Sequence, residues 1–504
     1  MLKKSLCLFL IVSAYTIAQV PDSIQRFRND NLGSYRNKRQ GTMIGNRINT
    51  LFYNDLEIGK ANFPPTCEWP AGSSHNYLDG YTFMVSAEVT APGDTIVIHP
   101  LETAYREEYS MDPVTQTPWC FEPIVGYSNP NSTSPAISIN KTTWPSQWPA
   151  ALNLSADYNG HWYGYFGKDA FNADMETYFA LDDSQDKKFT LSPYKYFPIT
   201  SDSSRGGLGL RAEVREFQWR DSLLQDILFI KYDVWNISDY DYNKAIFGIY
   251  CDVGIGGANM TEPTNSAGVD SINDLAYSWA PGGIGIPGNW KTGYFGIGIL
   301  GSPGNPKNVG ITSMSSFVIK DTGPTSPWPK NNEVIWAKMN GGMDTLVQNA
   351  NITIIIGSGP FAFKKWAKEV YTSSIIMGND LNDIINKKFI AQATYNNNFV
   401  LPDSINTLVE ESGNVTPSGF KLVQNYPNPF NPSTTINYSV PKSSMITIKV
   451  YDALGNEVET LVNGQKNPGN YKIIFNAGKL ASGVYFYQMR SSDYISIKKM
   501  ILLK

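Results

Sequence analysis

Ser433-Thr-Thr-Ile-Asn-Tyr-Ser-Val-Pro-Lys-Ser-Ser-Met-Ile-Thr-Ile-Lys-Val-Tyr451 carries a clear two-strand pattern. Apolar side chains alternate at Ile436, Tyr438 and Val440, and again at Ile446, Ile448 and Val450, with the turn former Pro441-Lys-Ser-Ser444 between them. Side chains of a strand point alternately to its two faces, so this is the pattern of two half-buried strands. Alternation returns at Tyr471/Ile473/Phe475 and is read at Val484/Phe486. Further turns fall at Ala453-Leu-Gly-Asn456, Asn467-Pro-Gly-Asn470 and Leu480-Ala-Ser-Gly483. About seven short strands at this spacing predict a seven-stranded immunoglobulin-like sandwich over 419–504.

Upstream, Glu410-Glu-Ser-Gly-Asn-Val-Thr-Pro-Ser418 is polar and reads as a linker. The whole chain has 504 residues, enough for several domains, with 42% hydrophobic, 13% aromatic and only 17% charged side chains. Its net charge of −4 comes without a basic run that could neutralise phosphates, which excludes a nucleic-acid partner. Many Gly, Pro and aromatic residues make this a mainly β composition.

At the other end, Lys3 and Lys4 precede an apolar run, and Thr16 and Ala18 supply small residues for cleavage. Residues 1–18 therefore read as a signal peptide. Three cysteines follow it: Cys67, Cys120 and Cys251. Either Cys67 and Cys120 form one bridge, or all three are buried thiols.

Residues 19–45 read as an extended lead-in. The body predicts as a β-sandwich in two parts, 46–205 and 206–409, with one late helix near 380–396. In that helix Leu381, Ile384, Ile385, Phe389 and Ile390 recur at helical spacing behind Asn379 or Asp380. Three long strands are expected at Arg211–Arg220, Ile227–Trp235 and Lys244–Val253. The apolar phase switches inside the first of these, which suggests a bulge.

Few body residues form a chemical pattern. Gly296-Ile-Gly-Ile-Leu-Gly301 fits G-x-G-x-x-G, but Ser302-Pro-Gly-Asn-Pro306 cannot open the helix that a dinucleotide site requires. His75, His99 and His161 leave few routes to a histidine-based centre, and no residue is assigned a catalytic role. Asn172, Asp174, Glu176, Asp182, Asp183 and Asp186 place hard oxygen ligands within 15 residues. They can hold calcium, or they form a solvated strand edge and turn. Asp252, Asp270 and Asp274 are further oxygen donors. Twelve tryptophans, with Trp69, Trp144, Trp148 and Trp328 each before a proline, are core and loop anchors or a sugar-stacking platform.

The tail motifs Asn425-Tyr-Pro-Asn-Pro-Phe-Asn-Pro432, Val450-Tyr-Asp-Ala-Leu-Gly455, Leu480-Ala-Ser-Gly-Val-Tyr485 and the closing Lys498…Lys504 closely resemble the type A C-terminal sorting domain of the type IX secretion system. That domain is a relative of the flagellar hook-cap immunoglobulin-like module. The resemblance marks Tyr426, Pro427, Asn428, Pro429, Phe430, Asn431, Pro432, Gly455, Gly483, Tyr485, Lys498 and Lys504 as the sorting motif. It implies a Gram-negative bacterium of the Bacteroidetes kind. It also implies passage through the type IX machinery, removal of the tail by a sortase-like peptidase, and release or tethering to surface lipopolysaccharide. Lys498, Lys499 and Lys504 offer a cationic end to an acidic receptor, or serve as gatekeepers on an edge strand. The body, through Trp162-Tyr-Gly-Tyr-Phe-Gly167 and Gly357-Ser-Gly-Pro-Phe361, is similar to uncharacterised β-rich regions of secreted proteins of the Bacteroidetes and Ignavibacteria type. These features together describe an exported surface, adhesion or binding protein without enzymatic activity. The alternative is a secreted protein that binds or hydrolyses carbohydrate.

Overall fold

Long runs of β-branched and aromatic residues that are apolar on both faces build two antiparallel sheets in the body. The computed structural model describes residues 19–90, 96–104, 110–256, 264–285, 288–304, 309–318, 331–402, 419–425, 428–491 and 494–503. Outside these lie the expected signal peptide at 1–18, the expected turn at 91–94, Trp328, the expected linker at 410–418, Tyr426, Pro427 and Lys504. The chain divides into two units, Met1–Asn398 and Phe399–Lys504.

In the first unit, the nine-stranded sheet runs Ser266–Asp270, Leu275–Trp279, Tyr294–Gly301, Lys368–Gly378, Ile227–Asn236, Leu210–Gln218, Met175–Asp182 and Glu122–Pro123, with Ala136–Ile137 also on Met175–Asp182. The five-stranded sheet runs Ser313–Val318, Ile352–Phe363, Tyr242–Val253, Leu78–Ala87 and Leu101–Glu102. Their facing sides share one core. Phe83 stacks on Tyr232 with ring centroids 4.3 Å apart, and Phe247 meets Tyr371 at 6.2 Å.

Several expectations are corrected here. The body does not divide at residue 205. Leu78–Ala87 pairs with Tyr242–Val253 and Met175–Asp182 pairs with Leu210–Gln218, so each sheet takes strands from both sides of that point. The strands near 227 and 244 stand in different sheets. No bulge interrupts Leu210–Gln218, whose register to Ile227–Asn236 is continuous. Its phase switch arises because both faces are covered: Ala212 and Val214 join the inner core, while Phe217 stacks on Trp219 at 5.8 Å on the other side.

The lead-in is ordered. Helix Asp22–Arg28 buries Ile24 and Phe27, with the Phe27 and Trp235 rings 5.1 Å apart. Arg28 donates to the Ile237 carbonyl and pairs with Asp239 at 2.7 Å, which fixes the helix end. A further helix, Asn332–Asn340, packs Ile335, Trp336 and Met339 on the outer side of the five-stranded sheet.

The predicted late helix is Leu381–Asn396, capped by Asp380 accepting from the Asp383 amide at 2.9 Å. It lies on the outer side of the nine-stranded sheet because glycines leave room beneath it. A Cβ on Gly378 would sit 2.6 Å from Ile384 Cγ2, one on Gly298 2.6 Å from Lys388 Cδ, and one on Gly301 2.1 Å from Tyr395 Oη. Two glycines of the G-x-G-x-x-G match therefore seat a helix on a strand.

The second unit is the predicted sandwich. Sheets of three strands (Lys421–Leu422, Ser433–Val440, Gly469–Asn476) and four strands (Glu457–Lys466, Ser444–Tyr451, Gly483–Arg490, Ile495–Leu502) enclose a separate core. Ile436, Tyr438, Val440, Ile446, Ile448 and Val450 all point into it. In Gly483–Arg490 the phase is the reverse of that expected: Tyr485, Tyr487 and Met489 are buried, and Val484 is 38% exposed. Both sets are apolar or aromatic there, so alternation alone supports either phase.

Candidate functional site

In the body, the six oxygen donors of the expected calcium set do not converge on a common centre. Glu176 is buried; its Oε1 accepts from the Tyr165 amide at 2.8 Å and from Arg215, and its Oε2 from Trp162 Nε1 at 3.1 Å. Asp182 accepts from the amides of Gly33 and Ser184, each at 3.1 Å, and Asp183 from those of Leu208 at 2.7 Å and Leu210 at 2.8 Å. Asp186 takes the Lys188 amide at 3.0 Å, and Asp174 takes that of Arg220 at 2.7 Å. From Asn172 it is the backbone carbonyl that accepts, from Trp219 Nε1. Burial pushes the Asp182 and Asp183 carboxyls above their ordinary range, against the opposing pull of these backbone donors. These acids fix loops to strands. Among the described residues no group of three or more His, Cys, Asp or Glu side chains is placed to hold a metal ion.

Cys67 and Cys120 are not bridged. Cys67 Sγ lies 3.7 Å from Thr50 Oγ1 and Cys120 Sγ 3.8 Å from Glu122 Oε1, both as buried thiols. Burial pushes the Cys67 thiol up to about 12, so it is not a nucleophile near neutral pH. The histidines have separate partners: His75 stacks on Trp290, His99 meets Glu333 and His161 meets Asp169. None of the described tryptophans is exposed. Trp69, Trp144 and Trp148 bond Asp226, the Ile137 carbonyl and the His161 carbonyl through their indole N–H, at 2.6, 2.7 and 2.9 Å. They anchor loops instead of presenting flat faces to a sugar.

In the C-terminal unit three of the singled-out residues, Asn428, Phe430 and Lys498, do come together, at the edge of the four-stranded sheet. Ile495–Leu502 is the edge strand, and an unprotected edge is a template for pairing with other chains. Gln424, Asn428 and Phe430 strap it. Asn428 donates its Nδ2 to the Lys499 carbonyl at 3.2 Å and accepts the Ile501 amide on Oδ1 at 2.8 Å. Phe430 then makes one rung of parallel pairing: its amide donates to Ile501 O and its carbonyl accepts from Leu503 N, both at 2.9 Å. Its ring is 2% exposed and packs at 6.1 Å from Phe475. Gln424 Nε2 adds a bond to the Lys499 carbonyl at 2.7 Å.

Tyr487 holds the strap from inside. Its hydroxyl accepts the Asn425 amide at 2.6 Å and donates to the Val423 carbonyl at 2.7 Å. Burial raises its pKa, which keeps the phenol neutral and able to donate. Asn425 completes the knot by donating to Thr434 Oγ1 at 2.9 Å. Gln424 and Tyr487 lie outside the quoted motifs, and Asn425 and Ile501 lie inside them without being marked. Reading this strand's alternation at Val484/Phe486 passes over Tyr487, which the buried phase of Tyr485, Tyr487 and Met489 brings in.

The remaining motif residues have simpler roles. Gly455 sits at φ +86° in a turn closed by Asp452, which accepts the amides of Leu454 and Asn456 at 2.9 Å each. That conformation favours glycine. Gly483 opens its strand with nothing within 4 Å of an added Cβ, so no steric need explains it. Tyr485 Oη donates to the Ala481 carbonyl at 2.8 Å, and Asn431 and Pro432 are exposed. Lys498 pairs across to Tyr487, and the exposed Lys499 across to Phe486.

Comparison with known proteins agrees with this geometry in the second unit. Residues 424–503 match the family described as secretion system C-terminal sorting domain. No curated protein matches the chain. Among solved structures, a polysaccharide lyase is similar over 59% of this chain and 34% of its own, at 11% identity and a TM-score of 0.22. Dimeric latent PorU from Porphyromonas gingivalis is similar over 59% and 32%, at 11% identity and a TM-score of 0.15. The chain thus spans about a third of each of these structures, and the two likenesses say nothing of its activity. No helix among the described residues is long and apolar enough to cross a membrane. Residues 424–503 are a type IX secretion C-terminal sorting domain, and they mark this chain for export by that machinery to the cell surface or beyond.

Proposed function

We propose that the strap and the edge strand form one recognition surface for the type IX machinery, and that the body they deliver is a non-enzymatic surface, adhesion or binding protein of a Gram-negative bacterium. The observation that carries the first part is the double clamp of Asn428 on Lys499 and Ile501. Two motifs about 70 residues apart in sequence are thereby one physical object, and Lys498 and Lys499 lie on the clamped strand. A signal peptide at 1–18 would take the chain through the inner membrane. A sortase-like peptidase acting in the 410–418 linker would free the body or pass it to surface lipopolysaccharide.

For the body, a binding role draws support from where its acids and tryptophans stand. Glu176, Asp182 and Asp183 are consumed by internal donors, and the tryptophans brace loops, so neither set is offered to a substrate.

Immunoblots of cell fractions test the delivery. A chain ending at residue 418 is expected to stay in the periplasm while the full chain reaches the surface or the medium. Equal amounts of both outside the cell would overturn the reading.

A further inference from the structure

Asp79 and Asp252 form a carboxylate pair for which the sorting function gives no use; of the two, the sequence marked only Asp252, as an oxygen donor. They meet on the five-stranded sheet, where pairing steps from Asp252 opposite Gly80 to Val253 opposite Leu78. Asp79 is the extra residue of that bulge, and bulges re-aim side chains out of the strict alternation. Its carboxyl packs over Gly254, where an added Cβ would sit 2.7 Å from Asp79 Cγ. Asp252 is 6% exposed, and its Oδ1 has no hydrogen-bond partner.

A second observation points the same way. Thr353, the register partner of Asp252 on the neighbouring strand, stands on the same face and is fully buried. Its Oγ1 also lacks a hydrogen-bond partner. Buried polar atoms are usually satisfied, and here two unsatisfied ones stand at paired positions on one face of the sheet. Neither carboxyl has an ion pair among the described residues, and burial together with the facing Asp79 disfavours charge on Asp252.

We propose that Asp79, Asp252 and Thr353 bind a divalent cation of the calcium class. Two carboxylates carry the matching charge of −2, and with the hydroxyl they supply up to five hard oxygens of the six to eight that calcium takes. A shared proton would neutralise only half of that charge and would leave the threonine unsatisfied. An exported protein meets calcium outside the cell, where extracellular modules bind with Kd on the order of 10⁻⁴–10⁻³ M.

The test is calorimetry and thermal melting of the full chain, stripped with chelator and then titrated with calcium chloride. Wild type is expected to bind one ion per chain and to melt higher with calcium. Asp252→Asn and Asp79→Asn should each bind at least tenfold more weakly and lose the calcium-dependent shift, while Asp174→Asn keeps both. Because asparagine removes a buried like-charge pair, Asp252→Asn should melt above wild type in chelator at pH 8. If wild type shows neither heat nor shift, the pair holds a proton only and the proposal is wrong. Unchanged binding in both Asp79→Asn and Asp252→Asn would place the ion elsewhere and equally overturn it.

Discussion

Glu176→Ala is expected to destabilise the body by about 3–5 kcal/mol, the range for removing one partner of a buried ion pair. The partner is Arg215, 8% exposed, whose guanidinium lies 4.1 Å from the Tyr178 ring centroid and 4.9 Å from that of Tyr163. Those aromatic faces attract the cation but cannot replace a carboxylate in a desolvated site. Alanine also strands the Trp162 indole N–H and the Tyr165 amide, each of which now donates to Glu176. Glu176→Gln keeps an acceptor for these two donors and should cost less. Urea unfolding with and without calcium decides the residue's role. The deficit should be the same in both, whereas a deficit seen only with calcium would make Glu176 a metal ligand.

Glu216→Gln should stabilise the protein, increasingly so towards alkaline pH. Glu216 faces the inner core beside Ala212 and Val214, is 1% exposed, and among the described residues accepts a single 3.4 Å side-chain bond, from Thr177 Oγ1. Burial pushes its carboxyl up to about 8. The folded pKa therefore lies above the unfolded value of about 4.5. The neutral carboxyl's contribution is complete below that lower value and is lost as pH rises through about 8. Each pKa unit corresponds to about 1.4 kcal/mol, so the loss is on the order of a few kcal/mol. Glutamine has nearly the same shape and does not titrate. Wild type and variant should match at pH 5 and diverge by that amount at pH 9; a gap independent of pH would mean that Glu216 is not held neutral in the core.

Where one face of a strand is solvated, as from Ile436 to Tyr451, the sequence pattern and the structure coincide. Where both faces are covered, the pattern loses its meaning. Arg211–Trp219 reads as a phase switch, and Val484/Phe486 competes with Tyr485/Tyr487/Met489. Lys368–Gly378, a central strand, went unread because Thr372, Ser373 and Ser374 look like a polar break yet are fully buried. Hydrogen bonds between strands and across the core hide them from a reading by polarity; Ser373 Oγ, for example, lies 2.6 Å from Tyr81 Oη. The clustered acids between Asn172 and Asp186 misled for a related reason. Proximity in sequence does not reveal which backbone amides will fold against a carboxylate. The sorting motif was legible as residue types, but the clamp of Asn428 on the far strand depends on a contact across about 70 residues of chain.

If the strap and edge strand act together, the C-terminal sandwich is by itself a sufficient export address. The most direct measurement of this is the fraction of an unrelated reporter found outside cells of a type IX-competent strain when residues 1–18 precede it and residues 410–504 follow it. Most of the reporter should be outside, and an Asn428→Ala, Phe430→Ala double variant of the fusion should remain in the periplasm. A reporter that stays inside with the intact tail, or leaves as well with the double variant, would contradict the account.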